Sequence, residues 1–171
     1  MPDGIADTAC ASDCYHVRHY SETAGMRLTR FTDNALRCLL YLAATPSSTA
    51  TVGEVAARMG MSADHLLKVV QRLVALGYVR TIRGRNGGLK LAKRADAITI
   101  AEVVRATESS LALVPCFEVC STQCPLIGSC ALAGALAESL HAFFDVLQRR
   151  TVADLVASSR ASPVVHVAGS D

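Results

Sequence analysis

The stretch TVGEVAARMGMSADHLLKVVQRLVALGYVRTIRGRNGGLKL, residues 51–91, decides the fold of this chain. Thr51 and Glu54 form a capping-box pattern, which predicts a short helix that ends at Gly60. Ser62 is predicted to cap a second helix, whose apolar positions face inward. Those positions are Leu66, Leu67, Val69, Val70, Leu73 and Val74. Two helices joined by a tight connection, the second with a basic outer face, indicate a helix-turn-helix.

The residues after the second helix predict a two-stranded β-wing. Residues 78–82 have strand character, the sequence RNGG at 85–88 is typical of a hairpin turn, and residues 89–91 form the returning strand. A wing in this position makes residues 26–94 a winged helix-turn-helix domain, within a mainly α fold. The alternative is a surface hairpin that is basic without binding a partner.

Charge is distributed very unevenly along the chain. The 171 residues have a net charge of only +2, with 51% hydrophobic and 19% charged residues. Residues 58–94, however, hold nine Lys or Arg and a single acidic residue, Asp64, for a net charge of +8. The segments on either side are net acidic. A basic block inside an acidic chain indicates a binding surface for a polyanion.

These patterns together predict the residues that contact duplex DNA. The start of the second helix would enter the major groove, and the tip of the wing would meet the adjacent backbone or minor groove. The predicted set is Ser62, His65, Lys68, Arg72, Arg83, Arg85, Asn86 and Gly87. Since Lys and Arg contacts to phosphate release counterions, the affinity for DNA is expected to fall steeply with salt.

Further helical patterns flank the winged domain. Thr32 is predicted to cap a helix that ends before Pro46, and Thr99 opens another that runs to about Glu108. A long helix begins near Cys130, with an apolar stripe at Leu132, Leu136, Leu140, Phe143, Phe144 and Leu147. The same helix of a second subunit is the simplest partner for this stripe, because two-fold DNA readers dimerise. Packing against its own winged domain is the alternative.

The two ends of the chain lack such periodicity. Residues 1–25 are interpreted as a disordered arm, or as a misassigned start if translation begins at Met26. This arm contains a weak candidate metal site, Cys10, Cys14, His16 and His19. Residues 95–156 are assigned to a cluster-binding loop and the dimerisation helix, closing with a short helix at 151–156. Residues 157–171 are expected to be a flexible tail.

The sequence CFEVCSTQCPLIGSC, residues 116–130, places four thiols within one predicted loop. Thiolates select zinc, or iron in iron–sulfur clusters. The spacings of three, three and five intervening residues contain no CxxC pair, which weakens a structural zinc site and favours a larger cluster. Cys38 lies in the first predicted helix and is expected to be an ordinary core or half-buried residue.

Cellular location and competing functions follow from the same residues. Seven cysteines without a secretion signal or a membrane-spanning apolar run predict a cytoplasmic protein in a reducing environment. An enzyme would need a nucleophile–base or acid–base pair, and none is evident around His65 or His141. A small iron–sulfur electron carrier would use the same thiols, but it has no need of the basic segment or the wing.

Four separated segments of the chain resemble segments of the Rrf2 family, and they occur in the same order. They are MRLTRFTDNALR at 26–37, the Ser62-x-x-His65-Leu-x-Lys68 helix, the RGRNGGL wing at 83–89, and the cysteine loop followed by Leu132 and Leu136. The resemblance covers about residues 26–156. It implies a dimeric bacterial winged-helix regulator, of a kind that often carries an iron–sulfur cluster.

Within that family the chain most resembles repressors that sense nitric oxide. The resemblance implies a 4Fe–4S or, alternatively, a 2Fe–2S cluster held by Cys116, Cys124 and Cys130, with Cys120 as an alternative ligand. It also implies a further ligand, Asp33, supplied by the partner subunit. The cysteine loop is similar as well to iron-responsive members of the family, and less so to cluster-assembly regulators. A zinc-binding regulator is the remaining chemical alternative.

Overall fold

The computed structural model of the chain describes residues 27–85, 87–118, 124–126 and 129–161. Within these ranges the chain forms six α-helices and one two-stranded antiparallel sheet, which confirms the mainly α winged-helix fold. The predicted arm with its candidate metal site, the last ten residues, Asn86 and Cys120 lie outside the described residues. None of the helices in the described ranges has the length and apolar character needed to cross a membrane.

Helix α1, Arg30–Ala44, begins before the predicted cap. Thr29 has extended backbone angles, and its hydroxyl accepts a hydrogen bond from the Thr32 N–H at 3.2 Å. Thr32 is fully buried, and its hydroxyl donates to Thr107 Oγ1 at 2.9 Å. The prediction that Thr32 caps the helix was therefore wrong. Both threonines offer the same local capping chemistry, and only the core packing decides between them.

The helix-turn-helix consists of α2, Val52–Met59, and α3, Ala63–Ala75. The capping box of Thr51 and Glu54 is complete, and Gly60 ends α2 with a left-handed φ of 64°. Four apolar side chains of α3 are buried as predicted: Leu66, Val69, Val70 and Leu73. The remaining two, Leu67 and Val74, are 47% and 38% exposed, so their inward placement was wrong. At 100° per residue they fall on the flank of the helix, outside the buried stripe.

The wing pairs β1, Val79–Ile82, with β2, Gly88–Leu91. Gly87 is required at the turn, because a Cβ there would lie 2.3 Å from the carbonyl oxygen of Ile82. The backbones of Ala50 and Leu89 exchange two hydrogen bonds, with N···O distances of 3.3 and 2.7 Å. These bonds fasten the wing to the connection between α1 and α2.

Three further helices complete the fold: α4, Ile100–Thr107; α5, Ala131–Gln148; and α6, Val152–Ala161. Helix α6 packs against α1 and continues past the predicted end at Val156. The apolar stripe of α5 divides into two halves. Its C-terminal half packs on the chain's own core, where Phe144 is buried, as the alternative prediction had it. Its N-terminal half does not, since Leu132 is 64% exposed.

Candidate functional site

The outer face of α3 carries the first group of predicted DNA contacts. Ser62, His65 and Lys68 are all exposed at the N-terminal end of this helix. Ser62 is the N-cap residue, but its hydroxyl makes no capping hydrogen bond. The end of α3 therefore offers a hydroxyl, an imidazole and an ammonium group to an incoming ligand.

The tip of the wing carries the second group. Arg83 and Arg85 are exposed on either side of Gly84, which has a positive φ of 117°. The turn is closed by the Gly87 N–H, which donates to the Gly84 carbonyl at 2.9 Å. The backbone is thus compact between two cations, which suits a close approach to phosphate. Asn86 of the predicted set lies outside the described residues.

Several cations of the basic segment have partners within the protein. Arg72 Nη2 donates to the carbonyl oxygen of Ala106 at 3.3 Å, which ties α3 to α4. Lys93 Nζ lies 4.7 Å from the centre of the Tyr78 ring. Arg94 pairs with Asp96, and this hydrogen-bonded partner lowers the pKa of the Asp96 carboxyl. The charge count of the segment therefore overstates the cations that remain available to a polyanion.

The second candidate site is a cavity that gathers three of the loop cysteines. Cys116, Cys124 and Cys130 all line a cavity of about 350 Å³, together with Phe117, Ser129 and two alanines. Cys116 lies in a short 3₁₀ turn, Pro115–Phe117, and Cys130 is the N-cap residue of α5. Thiols that lie up to fourteen residues apart in the sequence thus line one cavity.

The N-cap position gives Cys130 a distinct environment. Its Sγ accepts a hydrogen bond from the Ala133 N–H at 3.4 Å, as a serine or threonine oxygen would at other helix starts. Free N–H groups and the helix dipole at this end are favourable to a bound anionic group. A thiolate bound to metal is therefore well accommodated at the start of α5.

The donor set fits an iron–sulfur cluster. Across the described ranges, no three His, Cys, Asp or Glu side chains converge closely enough to bind one metal ion. In a cluster the thiolates are distributed over more than one iron, so they line a shared cavity without all meeting at one point. Three cysteines around a shared space match that requirement.

Asp33 lies in the first turn of α1 and is half exposed. Its carboxylate accepts from Arg37 Nε, with 3.0 Å between Arg37 Nε and Asp33 Oδ2. The ion pair lies on the helix surface within one chain. The side chain is accessible from outside the subunit, as a ligand to a partner's cluster would have to be.

Comparison with known proteins assigns the chain to a family. The model of Rrf2, described as an iron-dependent transcriptional regulator, matches residues 28–158. The chain belongs to the Rrf2 family. It is 46% identical to Protein aau3 of Rhizobium meliloti, over 82% of this chain and 90% of that protein. It is 48% identical to the HTH-type transcriptional regulator NsrR of Geobacillus kaustophilus, over 80% of this chain and 93% of the relative.

The solved structures agree on the architecture. The structure of T. potens IscR superposes with a TM-score of 0.66 at 20% identity, over 82% of this chain and 93% of that one. At this identity the likeness shows the fold alone. The family and its NsrR members are transcriptional regulators, so the prediction of a non-enzymatic regulator is confirmed for this Rrf2 protein.

One cysteine of this Rrf2 protein belongs to neither candidate site. Cys38 is fully buried among the core residues of α1, as predicted. Burial raises the pKa of its thiol to about 12. It therefore remains a neutral thiol at physiological pH and serves packing.

Two contacts of this Rrf2 protein carry no sequence signal, since each joins residues far apart in the chain. Glu108 Oε1 accepts from the Thr29 N–H at 2.8 Å, which links the start of the cysteine segment to the start of α1. Arg105 lies over the Phe144 ring at 4.2 Å, which links α4 to α5. Both contacts connect the cysteine region with the winged domain.

Proposed function

We propose that this Rrf2 protein is a homodimeric, cytoplasmic repressor that loses DNA binding when nitric oxide attacks a bound iron–sulfur cluster. The observation that carries the proposal is the cavity shared by Cys116, Cys124 and Cys130. The identity of nearly half of all aligned residues to NsrR of Geobacillus kaustophilus supports the same function.

The cluster would be held by the three cavity cysteines and one further ligand. Asp33 of the partner subunit is our first choice for that ligand, and Cys120 is the alternative. The half-exposed carboxylate of Asp33 supports the first choice. We favour a 4Fe–4S cluster over a 2Fe–2S cluster. When bound, such a cluster supplies iron that reacts with nitric oxide.

DNA binding would use the exposed ends of α3 and the wing. Ser62, His65 and Lys68 would face the major groove, with Arg83, Arg85, Asn86 and Gly87 against the adjacent backbone or minor groove. In a two-fold dimer the two α3 helices read two half-sites. The exposed N-terminal half of α5, including Leu132, supports this helix as part of the dimer contact.

A continuous set of contacts supports coupling between the two sites. Cys130 caps α5, so a change in what its sulfur binds acts directly on the start of that helix. Further along α5, Phe144 packs under Arg105 of α4. The next residue of α4, Ala106, accepts the hydrogen bond from Arg72 of α3. We assign Arg72 to this coupling contact, which would bias α3 between a DNA-binding and a released arrangement.

The test is anaerobic purification followed by a visible spectrum and a DNA-shift assay. The probe is a duplex enriched by the protein from a random-sequence library, called the selected duplex below. We expect coloured protein that binds the selected duplex, and that bleaches and releases it on addition of nitric oxide. Colourless, zinc-containing protein would contradict the cluster.

Matched cysteine variants sharpen this test. Cys116→Ala and Cys130→Ala should abolish the colour, whereas Cys38→Ala should retain it, because Cys38 lies in the core. A parallel sample treated with an iron chelator separates the iron-responsive alternative. In one outcome the chelator releases the DNA at concentrations that leave the colour of the protein intact. That result, together with no release of DNA by nitric oxide, would favour iron as the signal.

A further inference from the structure

Leu67 is an apolar side chain on the flank of α3, between the buried stripe and the outer face of the helix. It is 47% exposed, while Leu66 beside it is fully buried. An exposed leucine is ordinary on a protein surface. This one is notable for its position, because the next residue in the helix is the exposed Lys68 and the surrounding segment 58–94 has a net charge of +8.

The place of Leu67 along the helix matters as much as its exposure. Recognition helices present their N-terminal residues to the base edges. Leu67 lies in the second turn of α3, which spans Ala63–Ala75. Val74 is also exposed on the same flank, but it lies roughly 10 Å further along the axis, at the far end of the helix.

The major groove offers one apolar group that can receive such a side chain, the C5 methyl of thymine. An apolar protein partner is disfavoured by the basic surroundings, which are complementary to a polyanion. We propose that Leu67 packs on a thymine methyl and sets a preference for thymine at one position of each half-site. This inference rests on the proposed DNA binding of α3 and adds a specificity residue to it.

The experiment replaces each thymine of the selected duplex with uracil, which removes only the methyl group. Affinity is measured by fluorescence anisotropy for the wild-type protein and for Leu67→Ala. With the wild type, uracil at one position per half-site should weaken binding by about fourfold for each methyl removed, the equivalent of one buried methylene. Leu67→Ala should bind the thymine and uracil duplexes equally at that position.

Val74→Ala is the matched control, since it shortens an exposed apolar residue of the same helix. It should retain the wild-type difference between thymine and uracil at every position. The inference is overturned if Leu67→Ala keeps that difference everywhere, if Val74→Ala loses it instead, or if the selected half-site contains no thymine. Failure to enrich any duplex would overturn the DNA-binding proposal itself, and this inference with it.

Discussion

The winged head, residues 30–107, and the cysteine segment, residues 108–130, are built on different principles. The head buries a continuous apolar core, and its helices begin at side-chain caps such as Thr29, Thr51 and Thr99. The cysteine segment places Cys116, Cys124 and Cys130 around a cavity and leaves Cys116 exposed. The head is therefore stabilised by apolar packing, to which Phe144 and Val152 of the later helices contribute, whereas the segment is the proposed site of the cluster. A change at the cavity should alter DNA binding without unfolding the head.

The largest expected effect tests that separation directly. Leu73→Ala removes a fully buried side chain of α3 and should lower the free energy of unfolding by about 2–5 kcal/mol. Cys116→Ala, at an exposed position, should abolish the visible absorbance, and it should change the free energy of unfolding of the cluster-free protein by less than about 0.5 kcal/mol relative to cluster-free wild type. Urea unfolding followed by circular dichroism measures both. A head that unfolds in Cys116→Ala would break the comparison.

A second expected effect concerns the reading face of the head. Lys68→Ala should weaken binding of the selected duplex by about 1–3 kcal/mol if the ammonium reaches a base, and should reduce the salt slope by about 1 per subunit if it reaches a phosphate. Arg149→Ala is the control, because it removes an exposed cation outside the basic segment. Anisotropy titrations at several salt concentrations give both quantities. Equal losses of affinity in Lys68→Ala and Arg149→Ala would show that the DNA-binding face lies elsewhere.

A third effect separates the two kinds of cysteine by pH. Burial raises the pKa of Cys38 to about 12, from the ordinary thiol value of 9.0 that applies to the unfolded chain. Because the unfolded chain ionises first, the contribution of this thiol is complete below pH 9 and declines as pH rises toward 12. At pH 10 the loss should be about 1 kcal/mol.

The measurement for Cys38 is a comparison of unfolding free energies at pH 8 and pH 10. The wild type should lose more stability than Cys38→Ala over this interval, since the variant lacks the titrating thiol. Under native conditions a thiol reagent should modify Cys116 and leave Cys38 unreacted. Parallel pH curves for the two proteins would contradict the buried, neutral thiol.

The smallest effect tests the junction between the two regions. Thr29→Ala should destabilise the protein by about 1 kcal/mol, because it removes the cap of α1. It also removes the hydroxyl that donates to Glu108 Oε1 at 3.2 Å. Thr29→Ser keeps the hydroxyl and should retain most of the stability. Thermal unfolding measures the melting temperatures of the two variants. Equal melting temperatures would show that the cap does not stabilise the protein.

Features of the fold that depend on neighbours in sequence could be predicted. The capping box at Thr51, the stop at Gly60 and the turn at Gly87 each follow from residues within a few positions, and the structure contains them. The capping of α1 could not be predicted, since the choice of Thr29 over Thr32 depends on packing against Thr107 in α4. The exposure of Leu67 similarly depends on which flank of α3 the other helices cover.

The candidate sites also combine features that the sequence predicts with features that only the fold determines. The sequence predicts a cysteine-rich loop, and the structure adds that Cys116, Cys124 and Cys130 share one cavity. That convergence depends on the path of the chain between them and on the start of α5. The contact of Arg72 with Ala106 joins two helices across a long stretch of chain, so no local pattern could reveal it.

The most direct test of the account is an anaerobic titration with nitric oxide in which absorbance and binding to the selected duplex are recorded on the same sample. The account predicts that release of DNA follows the bleaching of the cluster at each step. It also predicts that Arg105→Ala bleaches like the wild type but releases DNA less completely, because the contact between α4 and α5 is lost. Protein that bleaches fully and keeps its wild-type affinity for the duplex would contradict the account.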